Sequence, residues 1–225
     1  MSSDSKLMDY TEFWTICSAN GIVLDVEQIR SVKRFVEELR YWNEKVNLLS
    51  RKEIDEVLNK HILHSLSILK YVEIKQKARC LDVGTGGGFP GIPLIIAKPD
   101  LYMTLIDSIR KKVNITEMLA KHTNTRHVET ICGRAEDLAK NKLYNNHFDF
   151  VFSRAVSRTN DIITWTKKLL KKDGKIVLLK GGNLDDEISE AKKNFPNVII
   201  KEQLISVFGD DSFSENEKKV LICSF

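Results

Sequence analysis

The chain has 225 residues, 42% of them hydrophobic and 29% charged, an ordinary globular balance that excludes fibrous and disordered classes. No apolar run approaches the roughly 20 residues that cross a bilayer, and no basic stretch followed by an apolar one opens the chain, so a cytoplasmic protein without signal peptide or membrane span is expected. The formal net charge of +4 permits an anionic partner without requiring one, and four scattered cysteines with no Cys-x-x-Cys pair speak against zinc and dithiol chemistry.

Up to residue 77 helical periodicity dominates. Tyr10 to Ala19 reads as a short helix stopped by Asn20-Gly21. Asp25 caps a longer helix, with Gln28 three residues on as the other half of a capping box. Its apolar residues Ile29, Val32, Phe35, Val36, Leu39 and Trp42 recur at spacings of three and four. A third helix, about 53–71, carries Val57, Leu58, His61, Ile62, Ser65, Leu66 and Leu69 along one side. Residues 1–77 are therefore expected to form a helical cap on a domain spanning 78–225. His61 and His64 share a helix face, but no third ligand has suitable spacing, so a packing role rather than a metal is expected.

From residue 78 onward short apolar runs alternate with amphipathic segments. Strands are expected at Ala78–Val83, Tyr102–Ile106, Val128–Cys132, Phe148–Phe152 and Lys175–Leu179, with helices at Ile92–Ala97, Lys111–His122, Glu136–Ala139 and Asp161–Leu170 between them. This alternation predicts a parallel sheet covered on both faces. After a helical stretch at 183–195, two more strands, Val198–Val207 and Lys219–Ser224, are joined by a loop too short for a crossover helix. They should form an antiparallel hairpin. Seven mostly parallel strands ending in such a hairpin describe a Rossmann-like methyltransferase better than a plain dinucleotide-binding fold.

The most informative stretch is Asp82-Val-Gly84-Thr-Gly86-Gly-Gly88-Phe89-Pro90-Gly91, between the first strand and the next helix. Glycines at such a turn let a cofactor approach the backbone closely. Read from Gly86, Gly-x-Gly-x-x-Gly formally matches a dinucleotide fingerprint; read from Asp82, Asp-x-Gly-x-Gly-x-Gly matches enzymes that use S-adenosylmethionine. A pyrophosphate wants free N–H groups at a helix start, and Pro90 and Pro93 remove two of them. S-adenosylmethionine has no phosphate, and its ammonium group suits an acid such as Asp82. Asp82 is equally suited to bracing the loop through backbone N–H groups. Asp107, ending the second strand about 20 residues on, fits the hydroxyls of a ribose. Glu136, after Gly133-Arg-Ala135, is placed to read an adenine edge. Arg154 and Lys180 close the fourth and fifth strands, where ligands of open α/β sheets bind. Arg110-Lys111-Lys112 is the best candidate for phosphate contacts, because it adjoins Asp107.

Together these segments resemble the RsmG (GidB) family of 16S rRNA guanine-N7 methyltransferases over about residues 40 to 205. The blocks that carry the likeness are Trp42-Asn43-x-x-x-Asn47-Leu48, His61-Ile-Leu-x-Ser65-Leu66, Leu81-Asp-Val-Gly-Thr-Gly-Gly-Gly-Phe-Pro-Gly-Ile-Pro93, Leu105-Ile-Asp107-Ser108, Ser153-Arg154-Ala155 and Leu179-Lys180-Gly181. The resemblance implies methyl transfer from S-adenosyl-L-methionine to N7 of the guanosine at position 527, in the 530 loop, with 16S rRNA or the small ribosomal subunit as partner. It implies that Gly84, Phe89, Asp107, Ala135, Glu136 and Arg154 meet the cofactor, and the reading of the glycine loop adds Asp82, Gly86 and Gly88 to that site. Arg154, Lys180, Arg110, Lys111, Lys112 and Asn47 would face the substrate. No catalytic base is needed, since N7 carries a lone pair and no proton; a monomer without metal is expected. His64 stands where the family usually has an acid, and Leu49 where it often has Thr. The alternatives are a methyltransferase of another substrate, an NAD-dependent oxidoreductase and a non-catalytic RNA-binding subunit.

Overall fold

A computed structural model describes residues 7–225. Helix α1 (Tyr10–Ala19) is capped by Asp9, whose carboxylate accepts from the N–H groups of Thr11 and Glu12, and it stops at Asn20-Gly21, where Gly21 takes φ +76°. Helix α2 (Val26–Asn43) begins with the expected capping box of Asp25 and Gln28. Gln28 does more than cap: its amide donates to the Ile96 and Ala97 carbonyls, 2.9 Å each, at the far end of α6 (Gly91–Ala97). One side chain thus satisfies the start of one helix and orphan carbonyls at the end of another.

The helix expected over 53–71 is present but not uniform. Ser50 and Glu53 form a capping box at the start of α3 (Arg51–Asp55). A π-helical turn at Leu58–Leu63 follows, then α4 (His64–Leu66) and α5 (Ile68–Tyr71). The Ser65 hydroxyl donates to the His61 carbonyl at 2.6 Å and that of Ser67 to His64 at 2.7 Å. Such back-bonding competes with the regular ladder. The wide turn carries His61 and lies next to His64, both of them buried. π-turns concentrate at functional sites.

The sheet consists of β1 (Arg79–Val83), β2 (Tyr102–Asp107), β3 (Val128–Cys132), β4 (Phe148–Arg154), β5 (Leu170–Gly181), β6 (Ile199–Leu204) and β7 (Lys218–Ser224). Their order is β3-β2-β1-β4-β5-β7-β6, with β1 to β5 parallel and β7 antiparallel to both β5 and β6. The hairpin is therefore inserted with its second strand inward. Helix α6 makes the crossover from β1 to β2, and α7 (Arg110–His122), α8 (Ala135–Leu138), α9 (Thr159–Thr166) and α10 (Asp185–Asn194) make those that follow. Strand β6 ends three residues earlier than expected, and the chain from Ile205 to Glu217 folds into a loop holding α11 (Ser212–Glu215).

Strand residues alternate between two cores, as a period of two requires. Cys80, Met103, Phe150, Phe152, Val177 and Leu179 join one; Leu81, Val83, Val151, Ile176 and Leu178 join the other. The first core also takes Phe13, Phe35, Leu39, Ile62 and Leu66, so the N-terminal helices pack on the same face of the sheet as α6 and α7. The second core lies under α8, α9 and α10. Burial on both faces explains why the central strands are mostly apolar at successive positions rather than alternating with polar ones.

Candidate active site

The glycine loop is held by the neighbouring strand end. Gly84 and Thr85 both donate to the Ile106 carbonyl, at 2.8 and 3.1 Å, and Gly86 donates to Asp107 Oδ2 at 3.0 Å. The Gly86 carbonyl accepts from Thr116 of α7 at 2.7 Å. Gly84 has φ +69°, and a Cβ there would stand 2.4 Å from Val156 Cγ2, so a side chain is excluded by conformation and by space.

Between this loop and the carboxyl ends of β1 to β4 opens a cleft of about 340 Å³. Of the residues expected at the cofactor, Gly84, Gly86, Asp107, Ala135, Glu136 and Arg154 line it, together with Lys112. Asp107 is buried, and each carboxylate oxygen accepts one backbone N–H, from Gly86 and from Ile109. A carboxylate has about four acceptor sites, so lone pairs remain for two ribose hydroxyls. Val156 and Trp165 supply apolar wall that sequence reasoning did not single out.

Three expected cofactor residues lie behind the loop instead. Asp82 is fully buried; its Oδ2 accepts from the Thr85 hydroxyl at 2.7 Å and the Gly91 N–H at 3.0 Å. Of its two readings, the contacts are those of a brace. Burial pushes its carboxyl up to about 7, against the pull of those two hydrogen bonds. Gly88, at φ +94°, packs over Ile92, whose Cδ1 would be 2.5 Å from a Cβ. The Phe89 ring turns inward, 5.4 Å from the Phe35 ring and 4.9 Å from that of His61. The start of α6 offers no free donors in its first turn: Gly91 N–H is spent on Asp82, Ile92 N–H on the Gly88 carbonyl at 2.8 Å, and Pro93 has none. A pyrophosphate finds no seat there. Asp107 keeps acceptor capacity for the hydroxyls of a ribose, and the residues present fit S-adenosylmethionine.

The expected substrate residues divide. Arg110 and Lys111 are exposed on the first turn of α7, beside the cleft that Lys112 lines. Lys180 is spent within the fold: its ammonium donates to the Ser157 carbonyl at 2.6 Å and pairs with Glu187 Oε1 at 2.6 Å, tying β5 to the loop after Arg154. Asn47 is exposed and lines neither this cleft nor the one described next. Its neighbour Asn43 organises that turn, with Oδ1 accepting from Leu48 and Leu49 at 2.9 and 2.8 Å.

Arg154 also lines a second cleft, of about 520 Å³. Glu53, His61, His64, Asp210 and Lys218 are among its lining groups. Burial lowers the Arg154 guanidinium to about 10, with Glu53 partly restoring it. Burial, reinforced by Arg154, lowers the His61 imidazole to about 3 and holds that of His64 well below the ordinary histidine range. Both rings are neutral at pH 7. Among the described residues no group of three His, Cys, Asp or Glu side chains is placed to hold a metal ion.

A solved S-adenosylmethionine-dependent methyltransferase from Aquifex aeolicus superposes with TM-score 0.54 at 15% identity, covering 78% of this chain and 97% of that one. The cofactor-bound Rv0187 from MTB gives TM-score 0.54 at 18% identity, covering 72% and 78%. These likenesses show the fold. Proteins described as ribosomal RNA small subunit methyltransferase G are much nearer in sequence: that of Chlorobium phaeobacteroides is 37% identical over 194 residues, 84% of this chain and 85% of its own, and that of Flavobacterium psychrophilum 42% identical over 185 residues, 80% and 83%. Residues 28–215 match the GidB family, rRNA small subunit methyltransferase G. With the cleft lined by Gly84, Asp107 and Arg154 and the match running from α2 to α11, the chain belongs to the GidB family of S-adenosylmethionine-dependent rRNA small subunit methyltransferases.

Proposed function

We propose that the protein methylates N7 of a guanosine in 16S rRNA, at position 527 of the 530 loop, acting in the cytoplasm as a monomer. The observation that carries this reading is the position of Arg154, a residue that lines both clefts. One cleft suits a nucleoside cofactor; the other has room for a nucleoside acceptor; and the residue they share is a hydrogen-bond donor. Bound in the first cleft, S-adenosylmethionine supplies a sulfonium methyl, which the N7 lone pair takes as the S–C bond breaks onto sulfur, so that positive charge passes to the base and no proton is released.

The protein's share of such a reaction is alignment, since an in-line transfer gains most from holding nucleophile and methyl at near-attack distance. Asp107 anchors the ribose, Gly84 and Gly86 let the cofactor approach the backbone, and Ala135 and Glu136 border the base. Asp82, Gly88 and Phe89 keep the loop in shape from behind. Lys180 supports the chain that follows Arg154. Exposed Arg110 and Lys111, with Lys112, offer charge for the phosphates of the acceptor RNA, which predicts binding that weakens steeply with salt.

The test is transfer of labelled methyl from S-adenosylmethionine to small subunits that lack the modification, with N7-methylguanine mapped by chemical cleavage. A single signal in the 530 loop supports substrate and atom together. Label elsewhere, or none with cofactor binding intact, refutes the acceptor while leaving the methyltransferase assignment in place.

A further inference from the structure

Six buried side-chain nitrogen and oxygen atoms of the described residues have no hydrogen-bond partner, and four of them line the second cleft: His61 Nε2, His64 Nε2, Arg154 Nη1 and Asp210 Oδ2. Buried polar atoms are nearly always paired, so a cluster of this kind marks a surface prepared for a ligand. Local structure accounts for their orientation without satisfying them. Asp210 Oδ1 is held by Ser212, from its N–H at 3.1 Å and its hydroxyl at 2.6 Å, which leaves Oδ2 free. The His61 and His64 rings are fixed by contacts with Phe89 and Phe213, at 4.9 and 5.6 Å between centroids. The nearest acid to His61, Glu53 Oε1, stands 3.6 Å from Nε2, beyond hydrogen-bond reach.

We propose that this second cleft receives the acceptor guanine, with Asp210 Oδ2 accepting from its N1–H and exocyclic amine and Arg154 donating to its O6. The inference rests on the methyltransferase reading above and adds the groups that read the base. Guanine presents its donors N1–H and N2–H₂ on one side of O6 and N7 on the other. A donor shared by both clefts that meets O6 therefore leaves N7 turned toward the cofactor cleft, while the two N–H donors face away from it, toward an acceptor. Adenine would set an unprotonated N1 against Asp210 and an amino group against Arg154, leaving both buried charges unpaired. Sites built on buried polar groups reject such analogues strongly. The volume of about 520 Å³ lies in the range of small-ligand clefts. The neutral imidazoles of His61 and His64 flank the base without opposing the positive charge that methylation leaves on it.

Asp210→Asn tests the proposal, because it keeps Oδ1 for Ser212 and removes only the charge and an acceptor. Methyl transfer to unmodified small subunits, the affinity for S-adenosylmethionine and the melting temperature are measured for both proteins. The proposal expects kcat/KM for subunits to fall at least tenfold with cofactor affinity within twofold of the wild type. Subunits carrying inosine at the target, which lack the exocyclic amine, should be poorer substrates for the wild type, and the gap between the two proteins should narrow on them. Unchanged transfer by the variant, a gap equally wide on inosine, or a parallel loss of cofactor binding overturns it. A wild-type protein that methylates no guanosine in small subunits would instead refute the acceptor reading on which the pocket assignment rests.

Discussion

In the cofactor cleft the loop N–H groups of Gly84, Thr85 and Gly86 find partners within the fold, and the one central acid, Asp107, is half engaged before any ligand arrives. In the second cleft four buried polar atoms have no partner at all. The first is shaped by the loops that follow four adjacent parallel strands, β1 to β4, with the glycine loop at its centre. The second is assembled from side chains of the helical stretch after Ser50, the end of β4 and the loop before β7. A rigid cradle suits a cofactor that returns at every turnover. Unspent hydrogen-bonding capacity suits an acceptor that must be told from other bases, because discrimination comes from groups left unpaired by the wrong one.

Their buried ionisable groups also titrate in opposite senses. Asp82, under the cofactor loop, has its carboxyl raised from 3.8 to about 7 by burial, so the folded state binds a proton that the unfolded state has released between those values. Its contribution to stability is present below pH 4 and is lost as pH rises to 7. The lowered imidazoles of His61 and His64 contribute in the other direction: stability is present above pH 6.5 and is lost as pH falls. Comparing wild type with Asp82→Asn isolates the first effect, since the histidines are common to both. Denaturant unfolding should show the wild type losing up to roughly 4 kcal/mol relative to the variant between pH 4 and pH 8. A pH-independent difference would contradict a buried, titrating brace.

Asp107→Ala sharpens the comparison from the cofactor side. Two hydrogen bonds to a carboxylate contribute about 1.5–3 kcal/mol each, so calorimetry should find the Kd for S-adenosylmethionine raised at least a hundredfold. Unchanged affinity would remove Asp107 from the ribose. Trp165→Ala should raise the same Kd about tenfold if the ring packs on the adenine, with turnover of subunits at saturating cofactor preserved.

How much of this was legible in the sequence follows the same division. The glycine loop, Asp107, the Ser153-Arg154-Ala155 strand end and the capping box of α2 are local patterns, and short apolar runs placed all seven strands. The central strands read clearly because both faces are buried, so each is mostly apolar on both faces. The facing of individual side chains was not legible. Asp82 and Phe89 sit in the motif, yet one braces the turn and the other packs against Phe35, because the loop has an inside as well as an outside. Lys180 ends a strand as expected, but Glu187, seven residues on along α10, claims its charge. Asp210 had no signal: one of two adjacent acids in a connecting loop becomes part of a cleft only when that loop folds back beside the π-helical turn of His61. That turn was hidden too, since periodicity is blind to one extra residue in a helical ladder.

The central claim is that Arg154 joins two clefts with different tasks, and single-turnover methyl transfer by Arg154→Ala at saturating S-adenosylmethionine tests it most directly. Its Nη1 is buried without a partner, so the group should earn its interaction only when an acceptor base arrives. The account predicts a rate at least tenfold below wild type that added cofactor does not restore. A wild-type rate, or a defect abolished by more cofactor, would contradict it.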